Sequence, residues 1–360
     1  MSVDLSVFGG VSPAHNDFRS DTLTTPTLET VQAISNSTLG DAVYEEDDKT
    51  HELEQYVAIL LNKPKGLFCV SGTMSNQIAV RTHLKQPPHS VLCDYRGHIF
   101  VNEAGGLATL SQAMVQPIHP KNGKYMTLVD DIEPNFIPDD GEIHGAPTKV
   151  IALENTLHGM VYPIEEIKRI SVFCKENDVK LHLDGARLWD ALVHDELPLL
   201  EYGQYFDSIS ICLSKGIGAP IGSILVGDEK YITKANHFRK QQGGGVRQSG
   251  ILAAMALAAI KGNFPKFAQV HQYTKEVADV CDLLDIPLEH PPQTNFIFID
   301  PSKNIAKLVE ILTAAGLKVN SGRLAFHHQI TRESVDKIIQ VLKEWWLKHN
   351  KESGSGTYYK

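Results

Sequence analysis

Short apolar runs of β type alternate along this chain with amphipathic stretches. The runs are Leu67 to Val70, Val91 to Cys93, Lys149 to Leu153, Lys180 to Leu183, Ser208 to Leu213 and Ser223 to Val226. This alternation predicts a largely parallel α/β sheet, because parallel neighbours are joined through helical crossovers. Between two of the runs, Ile164 to Glu176 sets Ile164, Ile167, Ile170, Val172 and Phe173 against Glu165, Glu166, Lys168, Arg169 and Lys175. That spacing predicts a helix, and Pro163 stands where a first helical turn tolerates it.

The pattern changes after the apolar run Ile251 to Ile260. A long helical stretch is expected to about Leu284, then strands at Asn295 to Ile299, Leu317 to Val319 and Leu324 to Phe326, with helices at Ala306 to Ala314 and Glu333 to Lys348. We therefore expect a large domain over residues 1–262 and a smaller α+β domain over 263–350. Residues 351–360, KESGSGTYYK, are polar and Gly/Ser-rich and are expected to be a disordered tail.

Composition narrows the function. The 360 residues carry a formal net charge of -9 and no long basic run, which argues against nucleic acid or an anionic membrane as partner. Ile251 to Ile260 is roughly half the length a bilayer span requires, and the N-terminus lacks the basic and apolar regions of a secretion signal. The five cysteines are odd in number and widely spaced. Together these features predict a reducing, cytoplasmic setting. His51, His83, His89, His119, His182 and His327 show no HExxH or paired-cysteine spacing, so no structural metal is expected.

Three segments could carry chemistry. In Ser210-Ile-Cys-Leu-Ser-Lys215-Gly a lysine ends an apolar strand, where desolvation would favour the free amine that attacks an aldehyde. The glycines that follow do not make a dinucleotide fingerprint, since their spacing is one residue too long and Pro220 stands where a helix would have to propagate. Leu181-His-Leu-Asp184-Gly-Ala-Arg187 puts a carboxylate at the end of another apolar strand, suited to a protonated ring nitrogen. Phe68-Cys-Val-Ser71-Gly72-Thr73 turns from a strand into a helix expected from Met74, and its free N–H groups and hydroxyls suit a phosphate.

In that chain order, phosphate cradle, ring-nitrogen acid and lysine resemble the aspartate-aminotransferase-like fold, type I of the pyridoxal-phosphate enzymes. The chain is further similar to the L-threonine aldolases, relatives of the β-eliminating lyases, from about Asp17 to Lys348. The segments that carry the likeness are Phe18-Arg-Ser20-Asp21-Thr22, Gly40-Asp-Ala-Val-Tyr44, Ser71-Gly-Thr, His98 with Asn102-Glu103-Ala-Gly-Gly, Leu153-Glu-Asn155-Thr, Asp184-Gly-Ala-Arg187, Ser214-Lys215-Gly and Gly243-Gly-Gly-Val-Arg247-Gln-Ser-Gly.

The resemblance implies pyridoxal 5'-phosphate held by Lys215 as a Schiff base, with Asp184 on the ring nitrogen, Ser71, Gly72 and Thr73 on the phosphate and His98 stacked on the ring. It implies a carboxylate clamp of Ser20, Arg187 and Arg323, and cleavage of threonine to glycine and acetaldehyde. His98, His158 and a water held by Glu103 are all candidates for the base that takes the hydroxyl proton. In Glu154-Asn-Thr-Leu157-His158, Leu157 occupies the place where many relatives have the histidine. Tyr44, Lys240 and Arg247 resemble elements that reach a neighbouring subunit's cofactor, which implies a homo-oligomer, a tetramer built as a dimer of dimers.

Overall fold

The computed structural model describes residues 6–300 and 304–353. Its main sheet is ordered β1-β7-β6-β5-β4-β2-β3, formed by β1 (Lys65–Cys69), β2 (Ser90–Asp94), β3 (Met114–Ile118), β4 (Thr148–Glu154), β5 (Lys180–Gly185), β6 (Ser208–Cys212) and β7 (Ser223–Gly227). Only β7 opposes its neighbours; the β2, β3, β4, β5 and β6 pairings are parallel. Strands β2, β6 and β7 are buried along their whole length, so helices cover both faces and the strands read as unbroken apolar runs.

Strand β3 has no counterpart among the sequence expectations. Its pattern is exposed and half-buried except at Ile118, and it contains Pro117. It pairs with β2 alone, at the sheet edge, where a missing N–H does no harm. Helix Ile164–Glu176 has the expected bounds but a shifted buried face. Val172 is exposed, while Glu166 is buried, accepting from Leu128 N at 2.6 Å and pairing with Arg169.

The helix beyond β1 starts at Gly72 and runs to His83, two residues earlier than expected. Helices Gly250–Asn263 and Phe267–Leu283 are separated by a short 3-10 turn that contains Pro265. By length and composition alone the stretch Gly250–Leu283 could cross a membrane. Its buried residues instead join protein cores: Ala253, Ala256, Leu257 and Ile260 the one around the main sheet, and Val270, Val277 and Cys281 a second.

That second core holds Phe18, Leu308, Leu312, Leu324, Phe326, Ile338, Leu342 and Trp345. It surrounds β8 (Phe296–Phe298) and β9 (Arg323–Ala325), which pair antiparallel beside helices Ile305–Ala314 and Arg332–Ser353. Each fully buried Leu or Ile there contributes roughly 2 kcal/mol by leaving water. Phe18 brings the N-terminal segment onto this core. Leu317 to Val319 is not a strand: it makes an isolated bridge, Lys318 to Asp17, with that same segment. The last helix continues through Lys351 to Ser353, into the stretch expected as a tail, and residues 354–360 lie outside those described.

Candidate active site

The carboxyl ends of the parallel strands converge, which is where open α/β sheets place their ligands. After β1 comes the start of helix Gly72–His83. The Ser71 hydroxyl accepts from Met74 N at 3.1 Å as its N-cap, and the first intrahelical bond is Ser75 N to the Ser71 carbonyl. The N–H groups of Gly72 and Thr73 precede that bond and point from the positive end of the helix. A Cβ on Gly72 would stand 2.6 Å from Cys212 Sγ, so the turn sits tight against the end of β6.

Asp184 ends β5, facing Glu154 of β4 and Ser210 of β6 across the ladder. Its carboxylate is buried and accepts from Asn76 Nδ2 at 2.7 Å and Ala186 N at 3.0 Å. Among the described residues no cation pairs with it. Lys215 lies just past β6, half-buried, and its carbonyl accepts from Thr24 Oγ1 at 2.7 Å. Its ammonium finds no hydrogen-bond acceptor among the described residues, yet its charge is felt by Asp21, Glu154 and His98.

His98 follows β2. Its Nδ1 bonds Glu103 Oε1 at 2.8 Å, and this bond raises the imidazole pKa above its usual 6.5. Glu103 is buried and also accepts from Asn76 Nδ2 at 3.0 Å and Gln77 Nε2 at 2.5 Å. Ligand atoms of His98, Glu103 and Asp184 lie within 4.8 Å of one another, all engaged in this hydrogen-bonded group. Glu154 accepts from His98 N at 2.7 Å. Burial, with Asp184 nearby, pushes the Glu154 carboxyl up to about 7.

The expected clamp has a partner that the sequence did not disclose. Arg187 donates through Nε and Nη2 to the two Asp21 oxygens, both at 2.7 Å, inside the protein. Burial alone would raise the Asp21 pKa, and the guanidinium overrides it, holding it at about 2. Arg323 donates to the Arg19 carbonyl at 2.7 Å. The Phe296 ring lies within reach of both guanidiniums, 4.8 Å from Arg187 and 5.4 Å from Arg323. The Ser20 hydroxyl caps the short helix Asp21–Leu23, accepting from Thr22 N and Thr22 Oγ1.

Two sets of expected residues stand apart from this group. His158 has φ +52°, is exposed, and stacks its ring on Phe298 at 5.7 Å. Desolvation on that flank, with Arg96 and Arg323 nearby, holds its pKa down to about 4. Tyr44, Lys240 and Arg247 are exposed and share one patch: Arg247 pairs with Asp41 at 2.6 Å, and Lys240 and Val43 flank Gly245. Asp21 and Glu154 lie inside segments singled out in the sequence and Asn76 in the helix expected from Met74, but their neighbours are distant along the chain. Phe296, one apolar residue of a short strand, gave no signal.

A family model described as Beta-eliminating lyase matches residues 17–304. The chain belongs to the beta-eliminating lyase family. Its relatives include the low-specificity L-threonine aldolase of Eremothecium gossypii, 56% identical over 348 residues and covering 96% of this chain and 91% of the relative. The corresponding Saccharomyces cerevisiae enzyme is 55% identical over 336 residues, covering 92% and 86%. The solved Leishmania major threonine aldolase has the same fold, with a TM-score of 0.78 at 22% identity over 92% of this chain and 99% of that one.

The family is pyridoxal-phosphate dependent, and the site's residues fit that cofactor. A buried carboxylate without a cationic partner, free helix-terminal N–H groups and an unengaged ammonium are the donor and acceptor set that a charged pyridine, a phosphate and an aldehyde complete.

Proposed function

We propose that this chain cleaves the Cα–Cβ bond of L-threonine and L-allo-threonine, releasing glycine and acetaldehyde. The observation that carries this reading is the placement of Lys215, Asp184 and the Gly72 helix terminus at the carboxyl ends of β6, β5 and β1, with two arginines beside them. The identity with the yeast and Eremothecium aldolases supports the choice of reaction.

Lys215 would hold the cofactor aldehyde, Asp184 would pair with its ring nitrogen, and Ser71, Gly72 and Thr73 would receive its phosphate. When bound, the cofactor supplies a sink for the electrons of the breaking bond. Arg187, Arg323 and Ser20 take the substrate carboxylate, and fixing that group sets which bond stands perpendicular to the ring. Asp21 takes the Nε–H and one Nη2–H of Arg187, which leaves both Nη1–H bonds and the second Nη2–H for the substrate. His98, anchored by Glu103 through Nδ1, takes the β-hydroxyl proton on Nε2.

Tyr44, Lys240 and Arg247 are proposed to meet a second copy of the chain in a homotetramer, and the setting is proposed to be cytoplasmic. Incubation of the cofactor-loaded protein with L-threonine and no keto acid tests the reaction. Glycine and acetaldehyde in equal amounts are expected. Release of ammonia, or turnover only with an added keto acid, would assign a different lyase or transferase.

A further inference from the structure

A line of buried polar side chains runs beneath Asp184. His83 Nε2 lies 2.7 Å from Ser208 Oγ, and His182 Nδ1 lies 2.8 Å from the same oxygen. His182 Nε2 is 3.1 Å from Asn76 Oδ1, and Asn76 Nδ2 reaches Asp184 Oδ2 at 2.7 Å and Glu103 Oε1 at 3.0 Å. His182 and Asp184, two apart on β5, face the helix that carries Asn76 and His83. Asn76 and His182 are fully buried.

Donor and acceptor chemistry favours one arrangement of protons along this line. An amide with two carboxylates before it must turn both N–H bonds toward them, since its oxygen there would face two anions. The Asn76 oxygen then needs a donor, and His182 Nε2–H is the one in reach. Burial holds the His182 pKa down to about 4, so the ring is neutral and Nδ1 is an acceptor, filled by the Ser208 hydroxyl. The Ser208 oxygen in turn accepts from His83 Nε2–H, a ring also kept neutral by burial and stacked on Tyr231 at 4.4 Å.

We propose that Asn76 is a positioning residue for the reaction, tying Asp184 to the Glu103–His98 pair through one amide whose orientation the Nε2–H tautomer of His182 fixes. The proposal rests on the reading of Asp184 and His98 given above. Without the amide, two buried carboxyl groups would lie side by side with no shared donor. Asp184 would lose a donor that holds its carboxylate in place, and Glu103 would lose one of the donors that fix it against His98. The other titratable groups facing this pair are Glu154 from β4, Cys212 from β6, Lys215 and His182, so any change in titration is read against them.

Nitrogen NMR of His182 tests the orientation directly, with or without cofactor, so the relay can fail while the role of Lys215 stands. The Nε2–H tautomer at neutral pH is expected; an Nδ1–H tautomer or an imidazolium would overturn the proposal. In the holoenzyme, Asn76→Leu is expected to lower kcat roughly 10- to 100-fold, as loss of hydrogen bonds to charged groups implies, with a much smaller change in KM. It is also expected to move the pH midpoint of the cofactor's visible band. His182→Gln, which keeps an N–H donor near the Nε2 position, should retain the wild-type titration, whereas His182→Leu should copy Asn76→Leu. Wild-type kcat and band titration in Asn76→Leu, or identical behaviour of the two His182 variants, would contradict it. If Asn76→Leu does not fold, the His182 pair and the tautomer decide.

Discussion

The two candidate bases, His98 and His158, hold protons with different strength, for different reasons. The bond to Glu103 raises the His98 pKa above 6.5, whereas desolvation against Phe298 depresses that of His158 to about 4. A base acts in its deprotonated form. If His98 takes the hydroxyl proton, kcat/KM for L-threonine climbs with pH through a pKa above 6.5 and levels beyond it, and His98→Asn removes that limb. If His158 acts instead, the climb ends near pH 4 and His158→Asn removes it. The pH profiles of the two variants decide. Lys215, Asp184 and Ser71 were legible because each ends an apolar run, where a polar residue stands out. Asp21 and Glu154 were not, because their significance lies in contacts with Arg187 and His98, and charge pairing between distant segments leaves no local pattern.

Among elements, helix Gly72–His83 does most to build the site, carrying the terminus proposed for the phosphate at one end and Asn76 and His83 along its inner face. A methyl group on Gly72 would meet Cys212 Sγ at 2.6 Å and push the first turn out of place. Gly72→Ala is expected to weaken cofactor binding roughly tenfold, the scale of one overpacked contact. Gly72→Ala with Cys212→Ala should restore most of it, as cofactor titration of both proteins would show; equal weakness in the double variant would place the fault elsewhere. The buried strands and amphipathic helices could be read from periodicity because burial on one or both faces dictates it. Edge strand β3 could not, since its half-exposed pattern and Pro117 look like a loop until β2 supplies the partner. Leu317 to Val319 shows the converse, an apolar run whose only backbone partner is the N-terminal segment at Asp17.

For the molecule as a whole, Arg187 and Arg323 both lie within reach of the Phe296 ring, at 4.8 and 5.4 Å, so the proposed clamp joins residues of the main-sheet segment to residues of the β8–β9 pair. The exposed patch of Tyr44, Lys240 and Arg247, with Tyr44 at 72% exposure, is a large commitment of side chains to solvent in a single chain. Sedimentation is expected to give a mass at least double the 39.8 kDa of one chain, and an active monomer would remove the proposed role of these residues. The central claim is that Lys215 holds the cofactor that splits threonine, and one comparison tests it most directly. Purified wild type and Lys215→Ala are each loaded with pyridoxal phosphate, examined for a visible absorbance band and given L-threonine. The band and acetaldehyde formation are expected in wild type, and the loss of both in Lys215→Ala. Retention of the band and of acetaldehyde formation in the folded variant would contradict it.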